Sequence, residues 1–131
     1  MKEPLRDRNI DHLDADLRRK VAAILDELSA AGYHPFIIET RRTAERQKWL
    51  RTQKPPVTHV RHSRHQDGEA CDIGFAKQGR AVWSVLFPGW RQLGKCAANH
   101  GLTWGGKWLK FKDFPHVELC KGSRRRQPPT A

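Results

Sequence analysis

The side chains with most chemistry to offer fall in two short clusters. The first is Ser63-Arg64-His65-Gln66-Asp67-Gly68-Glu69-Ala70-Cys71-Asp72. The second is Trp104-Gly105-Gly106-Lys107-Trp108, followed closely by Asp113-Phe114-Pro115-His116-Val117-Glu118. Each cluster sets an imidazole and a carboxylate a few residues apart. Two imidazoles and one carboxylate fill three positions around a zinc ion and leave a fourth open, while a second carboxylate can serve as a base. Those are the parts of a hydrolytic metal site. The plainer alternatives are a surface histidine and a solvated acid for His65 and Asp72, and a satisfied core histidine for His116, which sits in an apolar, strand-like run where an unpaired imidazole would need a partner.

The spacing limits how these groups can meet. His65 and Asp72 are too far apart to share adjacent turns of one helix as an H-E-x-x-H pair does. Gly68 permits a tight turn between them, after which the chain can enter a strand carrying Asp72. Alternation from Glu69 to Phe75 places Ala70, Asp72 and Gly74 on one face of that strand and Cys71, Ile73 and Phe75 on the other. His116 and Glu118 share parity in a further strand predicted over Pro115–Leu119, and Asp113 lies just before it.

The remaining elements follow from periodicity. Leu13, Leu17, Val21, Ile24, Leu25 and Leu28 recur at helical spacing, which predicts an amphipathic helix over residues 12–31 capped by Asp11 and ended by Gly32. Pro35–Thr40 reads as a buried strand. Thr43 caps a second helix running through Trp49 and Leu50, and residues 51–64, with Pro55-Pro56, read as an irregular surface loop. Pro88-Gly89 marks a turn before a third helix from Trp90 to His100, with Leu93, Ala97 and Ala98 inward and Gly101 at its end. A short strand is expected at Leu102–Trp104. The order predicts an α+β domain over residues 1–120 with a basic, disordered tail over 121–131.

The chain has 131 residues, enough for one domain with a single core. Lys and Arg number 25 against 14 acidic residues, a net charge of +11, which favours anionic partners such as nucleic acid, an acidic membrane or an anionic wall polymer. The three cysteines, Cys71, Cys96 and Cys120, cannot all pair and lack C-x-x-C spacing, so they read as free thiols. The first residues are polar with no apolar core, so no signal peptide is expected, and no run reaches transmembrane length.

Ser63, His65, Gly68, Ala70 and Asp72 form a Ser-x-His-x-x-Gly-x-Ala-x-Asp pattern. It resembles the first zinc motif of the D-Ala-D-Ala carboxypeptidase and L-alanyl-D-glutamate endopeptidase family, whose second group includes small phage endolysins. The stretch from Gly101 through Trp108 to Asp113-Phe114-Pro115-His116-Val117-Glu118 is similar to the second motif. The run from Ile38 to Gln47 is similar to the family's strand, arginine and following helix. The resemblance implies a hedgehog/DD-peptidase-like fold, with a small antiparallel sheet packed with helices. It also implies one Zn2+ per chain held by His65, Asp72 and His116, with Asp113 as catalytic base. By the same resemblance Arg42 binds substrate and stabilises the oxyanion, with Arg41 as the alternative register. Ser63 is expected to orient the first motif, and Glu118 to support the site or serve structure only. Trp104 and Trp108 either wall a substrate groove or pack in turns. His59 and His62 form a His-x-x-His-x-x-His series with His65, but in an arginine-containing, Pro-rich loop they read as exposed.

The expected activity is that of a zinc peptidase acting as a monomer on the stem peptide of bacterial peptidoglycan. The favoured bond is L-Ala–D-Glu, with D-Ala-D-Ala carboxypeptidase or dipeptidase activity as the alternative. Its expected setting resembles that of an endolysin, made in the bacterial host cytoplasm and released to the wall by a holin. A basic nucleic-acid-binding module is the rival from another class: it would explain the charge but not two His/Asp clusters beside glycine turns.

Overall fold

The computed structural model describes residues 2–120, so the basic tail expected over residues 121–131 lies outside the described residues. The elements run α1 (Ala15–Ala30), β1 (His34–Glu39), α2 (Ala44–Thr52), β2 (Ala70–Lys77), β3 (Arg80–Ala81), α3 (Gly89–Asn99), β4 (Leu102–Trp104) and β5 (His116–Leu119), with short 3-10 turns at Ile10–His12, Arg64–Asp67 and Gly105–Lys107. The strands form one sheet in the order β1-β2-β5-β4, with β3 paired to β2, and every pairing is antiparallel. Helices packed on a small antiparallel sheet make this the expected α+β architecture. Among the described residues, no helix is long and apolar enough to cross a membrane.

The core lies between α1, α3 and one face of the sheet. Helix α1 buries Leu17, Val21, Ile24 and Leu28, four positions at helical spacing on a single stripe. Strand β2 turns Cys71, Ile73 and Phe75 into the same core, as its alternation predicts. Phe75 sits at the centre of an aromatic group, edge-on to Tyr33 and Trp90 at centroid distances of 5.5 and 5.2 Å and tilted against Phe87 at 5.4 Å. Burial also pushes the Cys71 thiol well above its usual range, with Asp72 and Glu39 adding unfavourable negative charge, so it is not an activated nucleophile.

Several boundaries differ from expectation for identifiable reasons. Helix α1 starts at Ala15, not residue 12: Asp14 accepts from the Asp16 N–H and is the true cap, whereas Asn9 caps a separate 3-10 turn upstream. In α3, Cys96 and not Ala98 joins Leu93 and Ala97 in the buried stripe. Strand β2 continues to Lys77 and turns back through Gln78 and Gly79, whose φ angles of 52° and 76° form a tight hairpin into β3. Two paired residues leave too little alternation in a sequence to announce a strand. Residues 51–64 are less irregular than expected, because α2 runs to Thr52 and Arg64 opens the 3-10 turn that carries His65.

Removing the ring at the centre of the aromatic group tests this account of the core. Phe75→Ala should lower stability by about 3–5 kcal/mol, read as a lower urea midpoint with an unchanged slope.

Candidate metal centre

His65, Asp72 and His116 converge, with one candidate ligand atom from each lying within 4.8 Å of the others. Each comes from a different local device. Ser63 accepts from the His65 N–H at 3.1 Å, and Gln66 Oε1 accepts from the Ser63 N–H at 2.8 Å, a capping box that fixes the turn bearing His65. Gly68 ends that turn at φ +71°, a conformation costly for other residues, and its carbonyl accepts from the Asp14 N–H at 2.9 Å. Asp72 and His116 are opposite one another in the β2–β5 ladder, so they share a face of the sheet.

The hydrogen bonds define what this triad can hold. His65 Nδ1 lies 2.8 Å from the Thr40 carbonyl oxygen, which can only accept, so Nδ1 carries the proton. His65 Nε2 is then an acceptor; it is buried, without a hydrogen-bond partner among the described residues, and 3.3 Å from a carboxylate oxygen of Asp72. A buried lone pair facing an anion calls for a cation between them. His116 Nδ1 lies 3.1 Å from the same Asp72 oxygen, while Nε2 donates to Glu118 Oε1 at 2.7 Å. Glu118 is held in turn by Arg64 Nη1 at 3.1 Å. A carboxylate behind a ligating imidazole sets its orientation and raises its basicity. The donor set therefore fits a metal ion.

Charge is concentrated accordingly. Burial disfavours ionisation of Asp72, but the facing His65 and His116 imidazoles outweigh it and hold the carboxyl well below the usual range. Burial likewise opposes charging His116, yet its bonds to Asp72 and Glu118 push its pKa up to about 10. For Glu118, too, burial is outweighed by the bond from His116, and its pKa is lowered. Asp113 differs: crowding by the protein and the negative charge of Asp72 raise it, against the opposing charges of His116, His65 and Arg42. Its side chain is 46% exposed, with Oδ2 3.9 Å from His116 Nδ1, so an open-sided carboxylate of raised pKa stands beside the triad.

The other residues singled out by the sequence take distinct places. Arg42 is mostly buried beside the site: its N–H donates to the His65 carbonyl at 2.9 Å, and its guanidinium bonds Glu39 and Gln47. Arg41 instead donates to the Gln66 carbonyl at 3.2 Å and lines a separate cleft with Asp11, Asp14, Asp67 and Glu69. The Trp104 indole lies against Gly94 and Gly106, where any Cβ would overlap it, and its Nε1–H donates to the Phe114 carbonyl at 2.7 Å. It thus braces the Asp113–His116 segment from behind. Trp108 reaches the site directly, its ring centroid 5.0 Å from that of His116. His59 is exposed, and exposed His62 pairs with Asp67 at 3.0 Å. Sequence reasoning gave no role to Glu39, Gln47, Arg46 or Arg64, although the Thr43 cap already placed Arg46 and Gln47 on the first turns of α2.

Residues 57–119 match the family model described as D-alanyl-D-alanine carboxypeptidase. The chain is 31% identical over 127 residues to the peptidoglycan L-alanyl-D-glutamate endopeptidase CwlK of Bacillus subtilis (strain 168), covering 88% of this chain and 72% of CwlK. It is 29% identical over 113 residues to the L-alanyl-D-glutamate peptidase of Listeria phage A118, covering 85% of this chain but 39% of that protein. Among solved structures, the Serratia marcescens L-Ala D-Glu endopeptidase ChiX shares the fold with a TM-score of 0.73 at 22% identity, over 90% of this chain and 92% of that one. The chain belongs to the D-alanyl-D-alanine carboxypeptidase and L-alanyl-D-glutamate endopeptidase family of peptidases.

A close backbone contact behind the triad gives a test of its geometry. A Cβ at Gly105 would overlap the Asp113 carbonyl oxygen and come within 3.1 Å of the His116 Cβ. Gly105→Ala should therefore displace the Asp113–His116 segment and weaken divalent metal binding by about 10- to 100-fold, read by competition against a chromogenic chelator, while the far-UV circular dichroism is retained.

Proposed function

We propose that this chain is a zinc peptidase that hydrolyses the L-Ala–D-Glu bond in the stem peptide of bacterial peptidoglycan. The observation that carries the reading is the unpartnered, buried Nε2 of His65 aimed at Asp72 and His116, with Asp113 open to solvent beside them. His65, Asp72 and His116 are the zinc ligands. Zinc, when bound there, polarises a carbonyl and acidifies water.

The chain's own groups do the rest. Asp113 takes a proton from the attacking water and passes it to the leaving amine, a task suited to a carboxylate whose pKa is raised. Arg42 presents its guanidinium to the carbonyl oxygen that gains charge. Glu118 and Ser63 hold His116 and His65 in orientation, and Trp108 walls the site. Residues 1–120 form the catalytic unit, which acts as a monomer. The protein is made in the bacterial host cytoplasm and gains the wall by holin-type release, as an endolysin does. A nucleic-acid-binding role would leave the buried triad without a purpose.

The choice of bond rests on the names of the relatives, CwlK and the Listeria phage enzyme being L-alanyl-D-glutamate peptidases. The family model's description favours D-Ala-D-Ala carboxypeptidase activity as the second reading. Mass spectrometry of digested, purified sacculi separates them: new amino termini on D-Glu are expected, and release of D-Ala with intact L-Ala–D-Glu bonds would transfer the assignment to the second reading.

Two measurements test the site itself. Elemental analysis after chelation and reconstitution should find one zinc per chain, and His116→Ala should lose it. Asp113→Asn should keep zinc and the thermal midpoint but lower kcat on a soluble stem peptide by about 10²–10⁴-fold. Wild-type turnover in that variant with zinc bound would remove Asp113 from the role of base.

A further inference from the structure

A buried polar network outside the triad lies directly behind Arg42. Glu39 divides its carboxylate between two arginines: Oε1 accepts from Arg42 Nη2 at 2.6 Å and Nε at 3.1 Å, and Oε2 accepts from Arg46 Nε at 2.7 Å. The side chains of Glu39 and Arg46 are only 4% and 3% exposed. Gln47 Oε1 accepts from Arg42 Nη1 at 2.9 Å, and its Nε2 donates to the Val60 carbonyl at 2.5 Å. Arg46 is anchored beyond Glu39 by Glu3 Oε2 at 2.7 Å and the Pro4 carbonyl at 3.1 Å. Two carboxylates thus balance two guanidiniums, and Glu39 is the member that touches both.

A guanidinium has five N–H donors in a rigid plane. Three of those on Arg42 are taken by Glu39 and Gln47, which leaves one on each terminal nitrogen without a partner among the described residues. Its plane is therefore fixed while two donors stay free. The Arg42 backbone N–H also donates to the carbonyl of His65, a member of the triad, at 2.9 Å, which anchors the arginine beside the site. A long side chain held this way loses little entropy on meeting substrate.

We infer that Glu39 is a positioning residue: by clamping Arg42 between its own carboxylate and Gln47, with Arg46 holding it from behind, it aims the two free guanidinium donors at the substrate carbonyl. The inference rests on the reading of Arg42 as the substrate-facing arginine. It adds that Glu39 acts through Arg42 and has no separate contact with substrate. Without Glu39, the Arg42 and Arg46 guanidiniums would face each other across a buried gap, and Arg42 would swing away.

The experiment is a double-mutant cycle on the zinc-loaded protein with a soluble stem peptide, followed by kcat/KM, zinc content and thermal midpoint. Arg42→Ala and Glu39→Gln should each lower kcat/KM by about 10²-fold with one zinc retained. The double variant should be no worse than Arg42→Ala, because both changes remove one interaction. Guanidinium chloride below denaturing concentration should restore part of the activity of Arg42→Ala by docking between Glu39 and Gln47, and should restore none when Glu39→Gln is also present. A purely structural glutamate would show additive losses and rescue independent of Glu39; either result overturns the inference. Where Glu39→Gln alone fails to fold, Glu39→Gln with Arg46→Met removes one charge of each sign and still frees Arg42, and wild-type kcat/KM in that protein overturns it as well. Wild-type kcat/KM in Arg42→Ala would instead overturn the reading of Arg42 on which the inference stands.

Discussion

The pairing of β2 with β5 is the constraint on which the rest of this structure depends. Antiparallel strands bring directly opposed residues to within reach on a common face, and the register sets Asp72 against His116, 44 positions further along the chain. On its other edge β2 pairs with β1, where Glu39 stands opposite Asp72. A single row across three strands thus holds the carboxylate that organises the arginines, the carboxylate of the triad and one of its imidazoles. The face beneath carries Cys71, Ile73 and Phe75 into the core. Packing and chemistry are set by the same alternation.

Function follows from what this row lacks. Its charged groups are buried next to His65 on the neighbouring 3-10 turn, whose Nε2 is the buried side-chain nitrogen left without a hydrogen-bond partner among the described residues. A group left unsatisfied in an interior is costly, and natural structures tolerate it where a ligand completes it. The family membership and the geometry therefore point the same way from independent grounds: one compares whole sequences, the other asks where a cation would be welcome.

Much of this was legible in the sequence where local physics decides the outcome. The parity of β2, the Thr43 cap and the glycine turn at Gly68 each depend on a few neighbouring residues, and each stands where expected. The start of α1 lies three residues beyond the one Asp11 predicts, because Asp11 and Asp14 are equally able to cap, and only the turn at Ile10–His12 selects between them. The convergence of His65 with His116 could not be derived from spacing; it required the resemblance to a family. The role of Glu39 was invisible for a related reason. Its partners include Arg46, anchored in turn by Glu3 from 43 positions away, and no periodicity records such a contact.

The alternation of β5 also determines how the gene can change length. His116 and Glu118 face the site and Val117 faces the core, so one residue gained or lost inside this strand would exchange the two faces downstream of the change. Such an event cannot yield a slightly altered site, because it buries a charge and exposes a valine in the same step. The connection from Leu109 to Phe111, just beyond Trp108, is different, since both of those side chains project into solvent. Growth or shrinkage is tolerable in that loop, and variation in substrate preference among descendants of this chain has room to arise there without disturbing the phase of the strand beside it.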